Sequence, residues 1–280
     1  MSGTDYSAYV GRTRERSGQI SASDVEKLAA VFNRPTLPER LPPAWHWAAL
    51  TEAVRQDEIG EDGHPRRGGF LPPIDLPRRM FAGATLTFAA PVEVGAQTVL
   101  RETIKSVSEK AGRTGRLAFV EVERALIQKG ETCVREVQSI VYREAATAPT
   151  AVPQAGPRDP ALVFDWRDEI RPDPVLLFRF SAVTFNSHRI HYDRDYAREA
   201  EFYPGLVVHG PLIALSLLEA FHRRFEGARV ASFEFRALSP LFDLHPFWVC
   251  GRREGEGVTL WAEGPSGEKA MQASLRLGAP

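Results

Sequence analysis

Only two cysteines occur in the 280 residues. Cys133 and Cys250 are far apart and lack metal-ligand spacing, so the sequence predicts neither a disulfide framework nor a cysteine metal centre. Both thiols read as core or strand residues of a reduced protein. No apolar run approaches the ~18 residues of a membrane helix, and the N-terminal stretch MSGTDYSAYVGRTRERSG has no apolar signal segment. These absences predict a cytoplasmic chain with no membrane partner. Excess charge is missing too, since 35 basic and 36 acidic side chains leave −1. That balance argues against nucleic acid as the main partner, although local arginine clusters can still hold phosphates. No metal or cofactor motif stands out. With 43% hydrophobic and 25% charged residues, the chain has the make-up of a globular protein with one large or two modest domains.

Ser21-Ala22-Ser23-Asp24 followed by Val25, Leu28, Ala29, Val31 and Phe32 predicts a short amphipathic helix from about Asp24 to Asn33. Pro35, Pro38, Pro42 and Pro43 force an extended passage. Ala44 to about Arg55 then reads as a second helix, with Trp45, His46 and Trp47 in the core. Gln56 to Arg79 holds four glycines, four prolines and four arginines, a long unpatterned loop of the kind that is functional or disordered. From Ala84 to Arg143, four strand-like runs separated by Gly95, Gly112 to Gly115 and Gly130 predict an antiparallel meander. Ala145 to Asp159, rich in Ala and Pro, reads as a linker. The second half repeats helix-then-meander, with strands near 228–238, 246–254, 257–264 and 268–278. The expected division is 1–144, linker 145–159, and 160–280.

Chemistry-bearing residues concentrate between Phe178 and Phe225. Phe178, Phe180, Ala182 and Thr184 alternate as on a short strand. Asn186, His188 and His191 follow, and Asn186 and His191 can converge only if their segment is a turn, because five residues of helix would set them roughly 140° apart. Pro211 suits the first helical position, placing Gly210 at the cap, where an unobstructed N–H at the positive end of the dipole can donate to an oxyanion. Leu212 to Phe221 is apolar nearly all round, as in a helix wrapped by a sheet. On the residues alone, Asn186, His188 and His191 equally suit a turn that is merely stabilised before a helix.

The pattern Asn-x-x-x-x-His-Tyr-Asp followed by Gly-Leu-Val-Val-His-Gly-Pro-Leu resembles the MaoC-like, R-specific enoyl-thioester hydratases and dehydratases of the hot-dog fold. The variant Thr-Phe-Asn-Ser-His-Arg-Ile-His-Tyr-Asp is most similar to the mesaconyl-C4-CoA (itaconyl-CoA, 3-methylfumaryl-CoA) hydratases and to mitochondrial type 2 hydroxyacyl-thioester dehydratases. That family's fingerprint is Gly-Asp-x-Asn-Pro-Leu-His, with Asp and His as the catalytic pair. His191 falls on the catalytic His, Asn186 stands where the Asp is expected, and His188 and Arg189 replace the Asn-Pro.

The resemblance implies an α+β double hot-dog, two antiparallel sheets each wrapping a central helix as a pseudo-dimer in one chain. It implies a hydro-lyase acting on a short-chain acyl-CoA, with one site per chain. His191 is then the base, Asn186 holds the water and Gly210 N–H meets the enolate oxygen. His191 either makes both proton transfers or shares them with His188 or Asp193, although Asp193 equally suits an N-cap, and His209 caps or packs at the start of the helix. From the first half, Arg66 or Arg67 is expected to meet a substrate carboxylate or CoA phosphate, with Phe70 anchoring their loop, against the alternative of a solvated loop. Competing functions are a 3-hydroxyacyl-carrier-protein dehydratase and a non-catalytic hot-dog subunit that binds acyl thioesters. A homodimer of double hot-dogs is also expected.

Overall fold

Two antiparallel meanders meet edge to edge in a computed structural model of the chain, which describes residues 5–38, 40–112, 115–158 and 162–278. The first half forms β1 (Thr13–Gln19), α1 (Ala22–Val31), β2 (Arg78–Phe88), β3 (Gln97–Gly112), β4 (Gly115–Gln128) and β5 (Glu131–Arg143). The second forms β6 (Trp166–Ile170), α2 (Pro174–Thr184), α3 (Arg194–Glu199), α4 (Gly210–His222), β7 (Val230–Ala237), β8 (Phe247–Glu254), β9 (Gly257–Glu263) and β10 (Lys269–Leu277). Across the sheet the order is β1-β3-β4-β5-β2-β7-β10-β9-β8-β6. The sheets of the two halves therefore join through β2 and β7, where Ala84 lies opposite Phe235 and Leu86 opposite Phe233.

The meander forms where alternation and turn chemistry agree. Between β4 and β5, Lys129 at φ 52° and Gly130 at φ 82° make the two-residue turn with both central residues left-handed, the geometry that matches the twist of the flanking strands. The expected turn at Gly112 to Gly115 falls on residues 113–114, outside the described residues. β2 starts at Arg78, earlier than the expected Ala84, and β1 and β6 lacked a sequence signal. The segment 145–158 contains no helix or strand, and the predicted linker's end at Asp159 lies outside the described residues.

Helix expectations fared unevenly. α1 starts earlier than predicted because Ser21 is its cap, and Ser21 and Asp24 form a reciprocal capping box. The run Phe178 to Thr184 is helix, not strand: Asp173 accepts a hydrogen bond from Leu176 N–H, and Pro174 opens α2. The second predicted helix shrinks to a single 3₁₀ turn, Trp45–Ala48. Ala44 at φ 65° and Leu50 at φ 51° close it off at both ends, since a left-handed residue cannot continue a right-handed helix.

What holds that turn are buried carboxylates. Glu136 on β5, 1% exposed, accepts from the Trp47 indole at 2.9 Å, the His46 ring at 3.0 Å, Gln138 at 2.7 Å and Arg124 at 3.4 Å. Glu219 on α4 accepts from the Trp45 indole at 3.0 Å and from Arg34 at 2.7 and 3.0 Å. Burying a charge is tolerable only when it is paired in this way. A Glu136→Gln protein is expected to lose about 2 kcal/mol of stability, the scale of a charge-assisted bond left without its ion. Urea unfolding with an unchanged midpoint would rule this out.

α4 is the central helix of the second half. Leu212 to Phe221 is buried throughout, against β8, β9 and β10 and also β2. Its two polar interruptions are satisfied, Glu219 as above and Ser216 by donating to the Leu212 carbonyl at 2.8 Å. The helix N-terminus opens into a large cleft lined by residues of both halves of the chain.

Candidate active site

α2 ends at Phe185, whose φ of 51° turns the chain sharply, and the segment after it is the turn that the sequence predicts. Asn186 N–H donates to the Ser181 carbonyl at 2.8 Å, while its side-chain oxygen accepts from His188 N–H at 3.0 Å. Arg189–His191 closes as a 3₁₀ turn. His191 Nδ1 lies 2.7 Å from the Val207 carbonyl. A carbonyl only accepts, so Nδ1 carries the hydrogen and the neutral ring presents Nε2 as its lone pair.

Asn186, His188, His191 and Gly210 line one cleft of about 800 Å³, together with His64, Arg66, Arg67, Phe70 and Arg79 from the first half. His191 is stacked on His209, with ring centroids 3.6 Å apart, and His188 packs edge-on to it at 5.4 Å. Burial pushes the His191 pKa down to about 4, and burial likewise lowers those of His188 and His209. All three rings are therefore neutral near pH 7, as a resting base must be.

His209 sits at the cap position of α4 but makes no side-chain cap bond. Its Nε2 instead lies 2.8 Å from Ser181 Oγ, and its stacking fixes the plane of His191. Gly210 is the first helical residue, one later than the cap position predicted for it, with Pro211 next. A Cβ on Gly210 would meet Phe81 at only an ordinary 3.7 Å. Packing thus does not demand glycine there, and the bare N–H is what the position offers to a ligand.

Asp193 does not line the cleft. It caps α3 by accepting from Tyr196 N–H at 3.0 Å and pairs with Arg189 at 2.7 Å. Of the two loop arginines, Arg67 is spent inside its own loop, donating to the carbonyls of Ile74 and Leu76 at 2.7 Å and of Pro77 at 2.5 Å. Arg66 is exposed, without a side-chain ion pair among the described residues. Phe70 lies under the Arg14 guanidinium at 4.2 Å and packs on the cluster around Ile104 and Tyr142.

Three residues of the loop and β2 were missed by sequence reasoning: Asp62, His64 and Arg79. Asp62 takes two hydrogen bonds from His64, at its backbone N–H (2.9 Å) and its ring Nδ1 (3.0 Å). Burial, followed by the Arg79 charge, brings the His64 pKa down to about 4 despite Asp62. Asp62, His64 and His188 offer ligand-type atoms within 4.8 Å of one another, but both Asp62 oxygens already accept from His64, which suits an oriented imidazole better than a metal. The only local signal was the Asp-x-His spacing. The loop is clamped to the turn: Ser187 Oγ donates to the Gly63 carbonyl at 2.6 Å, and Arg189 N–H donates to the Asp62 carbonyl at 2.9 Å.

Two joined antiparallel sheets with a buried helix pointing its N-terminus into a shared cleft define a double hot-dog protein. The same architecture is found in a MaoC-like dehydratase from Phytophthora capsici (TM-score 0.72, 12% identity, 96% of this chain and 95% of that one). A Mycobacterium tuberculosis protein described as having a double hot-dog fold matches over 96% of each chain (TM-score 0.54, 12% identity). The sequence model of hydroxyacyl-thioester dehydratase type 2 matches residues 44–243, and the chain belongs to that family. It is also 44% identical, over 99% of its length and 100% of the relative's, to a mesaconyl-C(4)-CoA hydratase of Chloroflexus aurantiacus.

Proposed function

We infer that the chain is a hydro-lyase that hydrates mesaconyl-C4-CoA or a near analogue, with residues 160–280 carrying the reacting groups and residues 1–144 completing the acyl pocket. The observation that carries this reading is His191, held by Val207 with Nε2 free in a cleft that also receives the N-terminus of α4. The likeness to the Chloroflexus enzyme sets the substrate.

Asn186 holds the water through its amide, and His191 Nε2 takes a proton as the water oxygen bonds to the β-carbon of the enoyl thioester. The electron pair of the double bond moves toward the thioester oxygen, where Gly210 N–H and the α4 dipole meet the developing charge. A proton delivered to the α-carbon completes the addition. The reading also includes a cytoplasmic location, consistent with two buried free thiols and with no helix among the described residues long and apolar enough to cross a membrane. Self-association as a dimer of double hot-dogs belongs to it as well, since β1 and β6 leave two open sheet edges.

Wild-type protein incubated with mesaconyl-C4-CoA, crotonyl-CoA and 2-octenoyl-CoA, followed by loss of enoyl absorbance, is expected to prefer the first. Preference for 2-octenoyl-CoA would favour a dehydratase of carrier-protein-bound acyl chains, and no turnover of any of the three would favour a binding subunit. We assign the free carboxylate to Arg66, because Arg67 is committed to three carbonyls. Arg66→Ala should raise KM for mesaconyl-C4-CoA about tenfold or more, the scale of a charge-assisted contact, and leave crotonyl-CoA nearly unaffected. Equal losses on both substrates would point to a phosphate instead.

A further inference from the structure

We propose that His64, oriented by Asp62, is a second proton-transfer residue of the cleft, contributed by the first half of the chain. The proposal rests on the hydratase reading above. Hydration needs two proton movements, one from water and one onto the α-carbon, and Asn186 can perform neither. Beside the turn, the first half of the chain provides a group that can.

Asp62 accepts from the backbone N–H of His64 and from its ring Nδ1, so the imidazole is fixed in position and its Nε2 is the free nitrogen. No partner holds that nitrogen among the described residues, and His64 lines the same cleft as His191. The carboxylate behind the ring stabilises its protonated form during transfer, which is what a neighbouring carboxylate does for a base. His188 lies between the two: its ring centroid is 4.0 Å from that of His64 and 5.4 Å from that of His191. The clamp of Gly63 and Asp62 onto Ser187 and Arg189 holds the dyad against the turn.

The balance closes with all three rings neutral before and after turnover. His191 takes the proton from water as the C–O bond forms at the β-carbon and an enolate is left. The proton passes from His191 through His188, directly or through a water, to His64 Nε2. His64 then gives it to the α-carbon as the enolate collapses, and one water has been added. His64 and His191 thus each touch one end of the double bond, and His188 is the bridge.

The test compares wild type, His64→Gln and Asp62→Asn on the preferred enoyl-CoA, with thermal melting as a check of folding. Wash-in of solvent deuterium at the α-carbon of the hydrated thioester is read in parallel. His64→Gln should lose about 10² or more in kcat and in α-carbon exchange, with KM within threefold of wild type. Asp62→Asn keeps the ring and should lose about tenfold in both, and it decides the matter if His64→Gln does not fold. An active wild type with kcat and exchange unchanged in the variants, or with losses confined to KM, overturns the proposal and leaves the hydratase reading standing. Loss of activity on chelation with recovery on adding zinc would place a metal at Asp62, His64 and His188 and overturn it as well. A wild type inactive on every enoyl-CoA would remove the hydratase reading itself.

Discussion

His191→Ala is expected to lower kcat by about 10² to 10⁴, the range for removal of a general base, while the protein keeps its cooperative melt. His191 sits in a 3₁₀ turn at the cleft, and the one hydrogen bond of its ring is to the Val207 carbonyl; truncation leaves that acceptor facing a cavity that water can fill. The wild type should also show a characteristic pH profile. The base works when unprotonated, and burial has lowered its pKa to about 4. The kcat/KM therefore stays level from neutrality down to pH about 5 and falls only below that, whereas an unperturbed imidazole would lose activity from about pH 6.5. Near-normal turnover in folded His191→Ala would remove the mechanism, and an acid limb near 6.5 would show that this ring is not the base.

Gly63→Ala should be nearly as damaging although Gly63 touches no substrate. Its φ is +87°, a conformation that costs any side chain about 1–2 kcal/mol. The added Cβ would also stand 1.8 Å from the Ser187 carbonyl oxygen and 3.2 Å from Arg189 N. Both of those atoms are backbone of the turn that carries Asn186, His188 and His191, so the loop and the turn must separate by more than an ångström. A displacement of that size at a reacting centre costs about 10² in rate. A folded Gly63→Ala protein with wild-type kcat would mean that the loop does not position the site.

Much of the site was legible because its logic is local. Asn186 to His191 and the Gly210-Pro211 helix start are short motifs whose turn and cap chemistry depend on neighbours in sequence. α2 was misread because the alternation does not follow burial: Phe178 is 63% exposed and Phe180 1%, so residues expected on one strand face split between solvent and core. The missing second helix has the opposite cause. Trp45 and Trp47 look helical in isolation, yet their indoles are anchored by Glu219 and Glu136 from distant strands and helices, and tertiary partners override local propensity. His64 escaped notice because its relation to His188 exists only after the two halves have met.

The strand order also governs when the protein can acquire its shape as it is made. β7 and β9 do not touch directly; β10, which follows both in the chain, lies between them. β2 in turn waits for β7 to cover its inner edge. A ribosome will therefore have released β1 through β9 before the middle of the sheet can close, and during that interval the strands beside α4 present unpaired backbone edges, the surfaces most prone to wrong pairing. The cleft is thus a late product of synthesis, assembled only when Lys269–Leu277 slides into place, and the nascent chain depends more on protection from its neighbours than the finished one does.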